Sequence, residues 1–350
     1  MRTFPLLALL SMLGAVAFGG DTAGKSRSEL PPRKVIVGTV MQGFWGDYPG
    51  LDQRLKQLTG LIDRLSDEAR TKYGRGLDLA VLPESAVTGE ITSDLVAQSA
   101  AFEGPVREAF AREARKCHCY IVVPLFLLEN REQRLCSNAA ILIGRNGEVA
   151  GIYRKLHPAV PVGSDSMERG VTPGREVRVF QTDFGKLGIQ ICFDMDWDYG
   201  WRELARQGAD LVAWPTESPG IARPAARAMQ GQYYVVSSTW RHNATIADPA
   251  GKVVAQVRPP DSLLVQELDL SYAIVPWSTQ LRNGAALAAK FGDKAGFRYY
   301  EDEDRGVFWS NDPQMPIRTM LRSLGLDEVR DELGRIEKLY DRAGVPRDSR

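Results

Sequence analysis

GKLGIQICFDMDWDYGWRELARQGADLVAWPTESPG, residues Gly185 to Gly220, holds the elements around which the chain is organised. Leu187 to Ile191 reads as a buried strand, Cys192 as a sharp turn, a helix begins near Trp197, and Asp210 to Trp214 is a second apolar strand closed by Pro215. A thiol at a strand-to-helix turn meets exposed backbone N–H groups and a helix N-terminus. Both favour negative charge, so the spacing predicts a lowered cysteine pKa and a place to stabilise an oxyanion. Free cysteine also fills core volume as a small hydrophobe, and Cys192 alone does not separate the two uses.

Working outward, the same alternation recurs on the N-terminal side. Val35 to Met41 is a continuous apolar run rich in β-branched residues, as expected of a strand buried on both faces. Apolar residues then recur at Leu51, Leu55, Leu58, Ile62, Leu65 and Ala69, which predicts a helix from Leu51 to Tyr73 stopped by Gly74 and Gly76. Leu79 to Leu82 completes a strand–helix–strand unit, and such crossovers imply parallel pairing in a helix-covered sheet. Helix Pro105 to Arg115 and strand Tyr120 to Pro124 repeat the pattern. Asn138 to Ile143 and Val149 to Tyr153 flank an Asn146-Gly147 hairpin signal, so the sheet is mixed. A further strand is expected from Val177 to Thr182.

Three charged residues fall at strand or loop ends. Glu84 follows Pro83 at the carboxyl end of a predicted strand, where ligands collect in open α/β sheets. Lys155 ends the second hairpin strand, and Glu168 precedes a loop punctuated by Gly170, Pro173 and Gly174. Singly, each is an ordinary solvated charge.

Composition narrows the function classes. Among 350 residues, 44 basic side chains balance 44 acidic ones, which gives no footprint for nucleic acid or an anionic membrane. The partner expected is a small molecule or another protein chain. Four cysteines do not make a disulfide framework, and the three histidines, His118, His157 and His242, lack metal-ligand spacing.

The first twenty residues, MRTFPLLALLSMLGAVAFGG, combine Arg2, an apolar run from Leu6 to Phe18 and a small-x-small site at Ala15-Val16-Ala17. They read as a signal peptide (1–20), with export to the periplasm or outside and no stable membrane span after cleavage; an uncleaved anchor is the alternative. Residues 21–33 read as a polar linker, 34–280 as the main domain and 281–350 as a C-terminal extension. Within the extension, 283–325 is expected to be irregular apart from one short helix. Leu326 to Ala343 is expected to be a helix with Leu326, Val329, Leu333, Ile336 and Leu339 on one face and an Asp331/Arg335 pair. That face covers the main domain or completes a dimer.

Taken together, VIVGTVMQG, LPE with Glu84, YRKLHP with Lys155, ERGVTPG with Glu168, GIQICFD with Cys192, GADLVAWPT, ARAMQGQYYVVSS and DPAGKVVAQ resemble, in order, the carbon-nitrogen hydrolase family, the nitrilase superfamily. The resemblance covers roughly residues 34–275 and implies an α/β fold, an αββα sandwich of two mixed sheets. It implies Glu84 as general base, Lys155 and the Phe193 backbone N–H as oxyanion stabilisers, Cys192 as nucleophile and Glu168 as the acid that orients Lys155 and substrate. No metal or organic cofactor is implied. The chemistry agrees, since an amide carbon is a poor electrophile and needs a thiolate, a base and fixed positive charge.

Phe193-Asp194 is similar to the amidase and N-carbamoyl amidohydrolase branches, whereas Asp198 and Tyr199 stand where many of those carry proline and glutamate. The expected substrate is a small linear amide or carbamoyl compound, with Phe193, Trp197, Tyr199 and Glu217 as candidate pocket residues. Acyl transfer to an amine, nitrile hydrolysis and a non-catalytic binding role are the alternatives, and a homodimer or higher homo-oligomer is implied by the resemblance.

Overall fold

The computed structural model describes residues 25–168 and 170–346; the expected signal peptide lies outside them, as do residues 21–24 of the expected linker. Strands run in chain order as β1 (Lys34–Val40), β2 (Leu79–Val81), β3 (Tyr120–Asn130), β4 (Leu135–Ile143), β5 (Val149–Arg154), β6 (Phe180–Gln181) and β7 (Lys186–Ile189). They continue as β8 (Leu211–Pro215), β9 (Tyr234–Ser238), β10 (Ala244–Ala247), β11 (Val253–Val257), β12 (Leu263–Asp269), β13 (Tyr272–Pro276), β14 (Ala295–Tyr300) and β15 (Arg305–Ser310).

Two mixed six-stranded sheets result, ordered β12-β1-β2-β3-β4-β5 and β11-β10-β9-β8-β7-β6. The β1/β2, β2/β3, β7/β8 and β8/β9 pairs are parallel, as their intervening helices demand, while the remaining pairs are antiparallel.

Side chains in a strand alternate between faces, and both faces here are buried. Val35 and Val37 of β1 join Leu79, Val81, Leu187, Ile189, Leu211 and Ala213 in one core between the sheets. Ile36 points the other way, into a layer with Leu58, Ile62 and Leu65 of helix Leu51–Tyr73 and Val106 and Phe110 of helix Pro105–Cys117. Across the second sheet, Val212 meets Trp201, Leu204 and Ala228 from helices Asp198–Arg206 and Ala222–Gly231. The layers are therefore α-β-β-α, as the resemblance implied.

Local chemistry explains the boundaries. Helix Leu51–Tyr73 ends on Gly74 at φ 72°, a left-handed cap that costs glycine little. In the β4–β5 hairpin Gly147 has φ 80°, and a Cβ there would stand 2.7 Å from the Ala111 carbonyl. The turn packs against a helix at a distance only glycine allows.

Four expectations need correction. The strand expected at Val177–Thr182 is only Phe180–Gln181. Residues 283–325 are not irregular: β14 and β15 join β13 in a third, antiparallel sheet, ordered β13-β15-β14, with helices Ala285–Phe291 and Ile317–Arg322. Their core is Ala273, Val275, Leu281, Leu287, Phe308, Ile317, Met320 and Leu321. The polar segment before β1 is docked, with Arg27 donating to the Ala209 carbonyl at 3.2 Å and Ser28 to Glu328 at 2.8 Å. Finally, the last helix is Val329–Ala343, and Asp331 accepts from Arg318 at 2.5 Å rather than pairing with Arg335. Val329 packs on the core between the sheets, so the start of that helix covers this chain, while Leu339 and Tyr340 remain exposed.

Candidate active site

The parallel strands and β5 point the same way, and the chemistry gathers where they end. Glu84 follows β2, Lys155 follows β5, Cys192 follows β7 and Glu217 follows β8. That is the edge of an α/β sheet where backbone groups are left free for ligands.

Lys155, 1% exposed, is the hub. Its Nζ donates to Glu84 Oε1 at 2.9 Å and also to Glu168 Oε1. Asn138 of β4 bridges the two acids, its Nδ2 lying 2.8 Å from Glu84 Oε1 and 3.0 Å from Glu168 Oε2. The Glu217 backbone N–H donates to Glu84 Oε2 at 3.0 Å, and the indole of Trp240 donates to the Glu84 carbonyl at 2.8 Å. Glu84 is therefore held at side chain and main chain together. Glu168 is fixed in the same way, since the Ala159 N–H donates to its Oε1 at 2.9 Å.

The Glu84 and Lys155 charges and the Thr216 hydroxyl all act on the Cys192 thiol. Its backbone sits at φ 41°, and Ser85 and Glu168 also have positive φ, 52° and 32°. Non-glycine residues adopt this region at a cost of order 1–3 kcal/mol each, and they persist where surrounding contacts over-determine them. Three such residues in one cluster mark a place where the fold trades stability for position.

The Cys192 turn is secured by Asp194, which is fully buried. Its Oδ2 accepts from the Ile191 N–H at 2.9 Å and from the Tyr153 hydroxyl at 2.7 Å, while Oδ1 accepts from the His157 N–H at 2.9 Å. Tyr153 and His157 flank Lys155 by two residues on either side. Asp194 thus locks the segment bearing the cation to the turn bearing the thiol.

The electrostatics reverse one expectation. Burial and the charge of Glu84 push the Cys192 thiol well up, and Lys155 and Thr216 offset this only in part. The helix N-terminus does not produce a resident thiolate. Burial works against the Lys155 ammonium, yet the surrounding carboxylates, Glu84 first and Glu168 with it, overcome it and raise its pKa well above the ordinary value. Glu217 is pushed up to about 8, first by burial and then by the Glu84 charge.

Of the expected site residues, Glu84, Lys155, Glu168, Cys192 and Glu217 come together. Phe193 is half-buried beside Cys192. Trp197 and Tyr199 are 49% and 62% exposed, with Trp197 stacked on His157 at a ring separation of 5.0 Å. Asn138, Asp194, Thr216 and Trp240 carry the site without having been singled out as site residues. For Asn138 the available signal was a polar residue at the head of the apolar run AAILI. Cys117, Cys119 and Cys136 are free and buried. Asp63, Glu113 and Cys117 lie close enough to share a cation, and the Lys116 ammonium already bonds both carboxylates.

Comparison with known proteins agrees with this architecture. A computed likeness at TM-score 0.58 and 21% identity links the chain to a Saccharomyces cerevisiae member of branch 10 of the nitrilase superfamily, covering 70% of this chain and 93% of the other. An amidase from Nesterenkonia sp. matches at TM-score 0.57 and 21% identity, over 67% and 90% of the two chains.

In sequence, a probable nitrilase of Schizosaccharomyces pombe is 32% identical over 145 residues, 40% of this chain and 50% of that protein. A nitrilase and fragile histidine triad fusion protein of Drosophila melanogaster is 28% identical, over 72% of this chain and 56% of its own length. The chain thus spans about half the length of these two relatives. An omega-amidase of Danio rerio is 24% identical over 63% of this chain and 89% of its own. Residues 49–275 match the carbon-nitrogen hydrolase family as a whole, and the chain belongs to that family.

Proposed function

We propose that the protein is a thiol amidohydrolase that cleaves a non-peptide C–N bond of a small linear amide or N-carbamoyl compound. One observation carries the reading: the buried Glu84 carboxylate and Lys155 ammonium are paired at 2.9 Å, and both act on the Cys192 thiol, which is partly exposed at the end of β7. A base next to the nucleophile and fixed positive charge beside both are what acyl transfer from a poor electrophile requires.

Because the thiol holds its proton at rest, deprotonation accompanies attack. Glu84 takes the Cys192 proton as the C–S bond forms, and the carbonyl oxygen becomes an oxyanion beside Lys155 and the Phe193 N–H. Glu84 returns that proton to the leaving nitrogen as the C–N bond breaks. Water then gives a proton to Glu84 while attacking the thioester, and C–S cleavage restores the thiol. Glu168 and Asn138 keep Lys155 and Glu84 in register throughout.

Purified protein is expected to release ammonia from a subset of aliphatic amides and N-carbamoyl amino acids. Glu84→Gln is expected to lower kcat at least roughly a hundredfold, the usual worth of a positioned acid–base group. Turnover of nitriles alone, or product formed only when an amine acceptor is supplied, would replace the amidohydrolase reading with nitrile hydrolysis or acyl transfer. Full activity in Glu84→Gln would remove the proposed base.

Export and self-association belong to the same proposal and rest on the sequence and on family membership. N-terminal sequencing of protein recovered outside the cytoplasm is expected to start after residue 17, and an intact Met1 there would sink the leader.

A further inference from the structure

Two helices of the outer layer bring together a second set of donor groups, away from the candidate active site. Helices Leu51–Tyr73 and Pro105–Cys117 share one core through Ile62, Leu65, Phe110 and Ala114. Asp63 and Ser66 are three positions apart on the first helix, and Glu113 and Cys117 four apart on the second, so each pair occupies one helix face. Cys117 comes just before β3 begins, whereas Glu84 follows the end of β2, which runs parallel to β3. The two clusters therefore lie toward opposite ends of the same strands.

The donor atoms have the spacing of a metal site. Cys117 Sγ lies 3.3 Å from Glu113 Oε1 and 4.0 Å from Asp63 Oδ1, and the ligand atoms of all three residues fall within 4.8 Å of one another. A tetrahedral ion with metal–oxygen bonds of about 2.0 Å and metal–sulfur bonds of about 2.3 Å sets its ligand atoms about 3.3–3.8 Å apart. Small side-chain rotations close the difference. Glu113 and Cys117 are buried, while Asp63 is partly exposed and opens the cluster to solvent. The Lys116 ammonium, on a side chain 55% exposed, bonds both carboxylates and shows that they present a cradle for positive charge.

Ser66 supplies a separate sign. Its hydroxyl is wholly buried and has no hydrogen-bond partner among the described residues, yet it acts on the Cys117 thiol. A neutral thiol is a weak acceptor and a thiolate a strong one. The orphaned donor is therefore satisfied once Cys117 gives up its proton to a metal, as an outer hydrogen bond to a ligating atom.

We propose that Asp63, Glu113 and Cys117 form a structural site for a divalent ion of borderline softness, Zn²⁺ being the one that fits, with water as fourth ligand on the exposed Asp63 side. One sulfur beside two carboxylate oxygens selects against Mg²⁺ and Ca²⁺, which prefer oxygen alone. On binding, the Cys117 proton passes to solvent, a sulfur–metal bond replaces the S–H bond, and the Lys116 ammonium turns outward still protonated. The ion joins the two helices, and the site is independent of the amidohydrolase reading.

The probes are Zn²⁺ and Co²⁺, added to the Cys192→Ala protein so that the thiol of the candidate active site does not compete. Equilibrium dialysis is expected to find one Zn²⁺ per chain, bound at least roughly a hundredfold more weakly in Cys117→Ser and roughly tenfold more weakly in Ser66→Ala. Co²⁺ is expected to give a sulfur-to-metal charge-transfer band that vanishes in Cys117→Ser. Lys116→Gln is expected to tighten Zn²⁺ roughly fivefold by removing the competing ammonium, whereas a cluster that serves only as an ion-pair network gains no affinity from that change. At a hundredfold excess over Kd, Zn²⁺ is expected to raise Tm by roughly 4 °C, and Mg²⁺ to leave it unchanged.

Absence of saturable Zn²⁺ binding below about 1 mM, or uptake and a charge-transfer band that are equal in Cys117→Ser, overturns the proposal. If Cys117→Ser does not fold, Ser66→Ala and Lys116→Gln decide: opposite shifts in affinity uphold the site, and unchanged affinity in both removes it.

Discussion

Lys155→Met is expected to lower the unfolding free energy by about 3–5 kcal/mol and to leave no measurable turnover. The side chain removed is 1% exposed, and it stands between two carboxylates that among the described residues Asn138 alone would then bridge. Methionine fills most of the volume, so the loss reports charge rather than a cavity. Removing one partner of a buried ion pair is far more costly than never having built it, because the remaining charges stay desolvated.

The double variant Lys155→Met/Glu168→Gln is therefore expected to regain part of the stability while remaining inactive. Urea unfolding of the two proteins checks this. No recovery in the double variant would show that the deficit comes from packing. The sign with pH also follows: a lysine whose folded pKa lies above the ordinary 10.5 stabilises the fold fully below that value and loses its contribution only as the pH rises through the folded value. The Lys155 contribution is accordingly constant across the neutral range.

Cys192→Ala is expected to reduce kcat/KM by at least about a thousandfold with a change in stability of about 1 kcal/mol. The main-chain contact at this position survives the change, since the Trp214 indole bonds the Cys192 carbonyl at 3.1 Å, which alanine keeps. Cys192→Ser is expected to be nearly as inactive. A hydroxyl is harder to deprotonate than a thiol, and this site already holds the thiol's pKa up. Mass spectrometry of the native protein mixed with a slow amide is expected to find the acyl group on Cys192. An adduct on Cys117, Cys119 or Cys136, or residual activity in Cys192→Ala near the native level, would refute the nucleophile.

The proposed triad could be picked out of the sequence as a candidate because its members sit at ends of strongly patterned elements. Helix Leu51–Tyr73 matched its apolar spacing to the residue, and the Asn146-Gly147 turn fixed the direction of β5 and so the place of Lys155. The partners of the triad were not legible. Asn138 and Asp194 act across 54 and 41 positions of chain, through contacts that only packing of β4 and of the Cys192 turn creates.

The sign of the Cys192 shift was missed for a related reason. A turn before a helix favours a thiolate only where water or a cation can answer the charge, and here Glu84 is the neighbour. The third sheet escaped because its strands are short and carry charge: AGFRYY and RGVFWS flank EDED, and their apolar sides become a core only once Leu281, Leu287 and Met320 arrive. The aromatic and β-branched content of both segments is the signal that could have found them.

The pairing of β1 with β12 carries a consequence for how the chain is made. Lys34 faces Asp269 and Val40 faces Leu263, so the partners lie more than 220 positions apart. At a synthesis rate of about 5–20 residues per second, the first strand of the domain waits roughly ten seconds or longer for the strand that covers its outer side. Until then Val35 and Val37, which end up fully buried, lie along an open sheet edge, the kind of surface on which nascent chains stick to one another. Overproduction that outruns chaperone supply is where this protein would be lost to aggregation, and slower synthesis is the remedy its topology calls for.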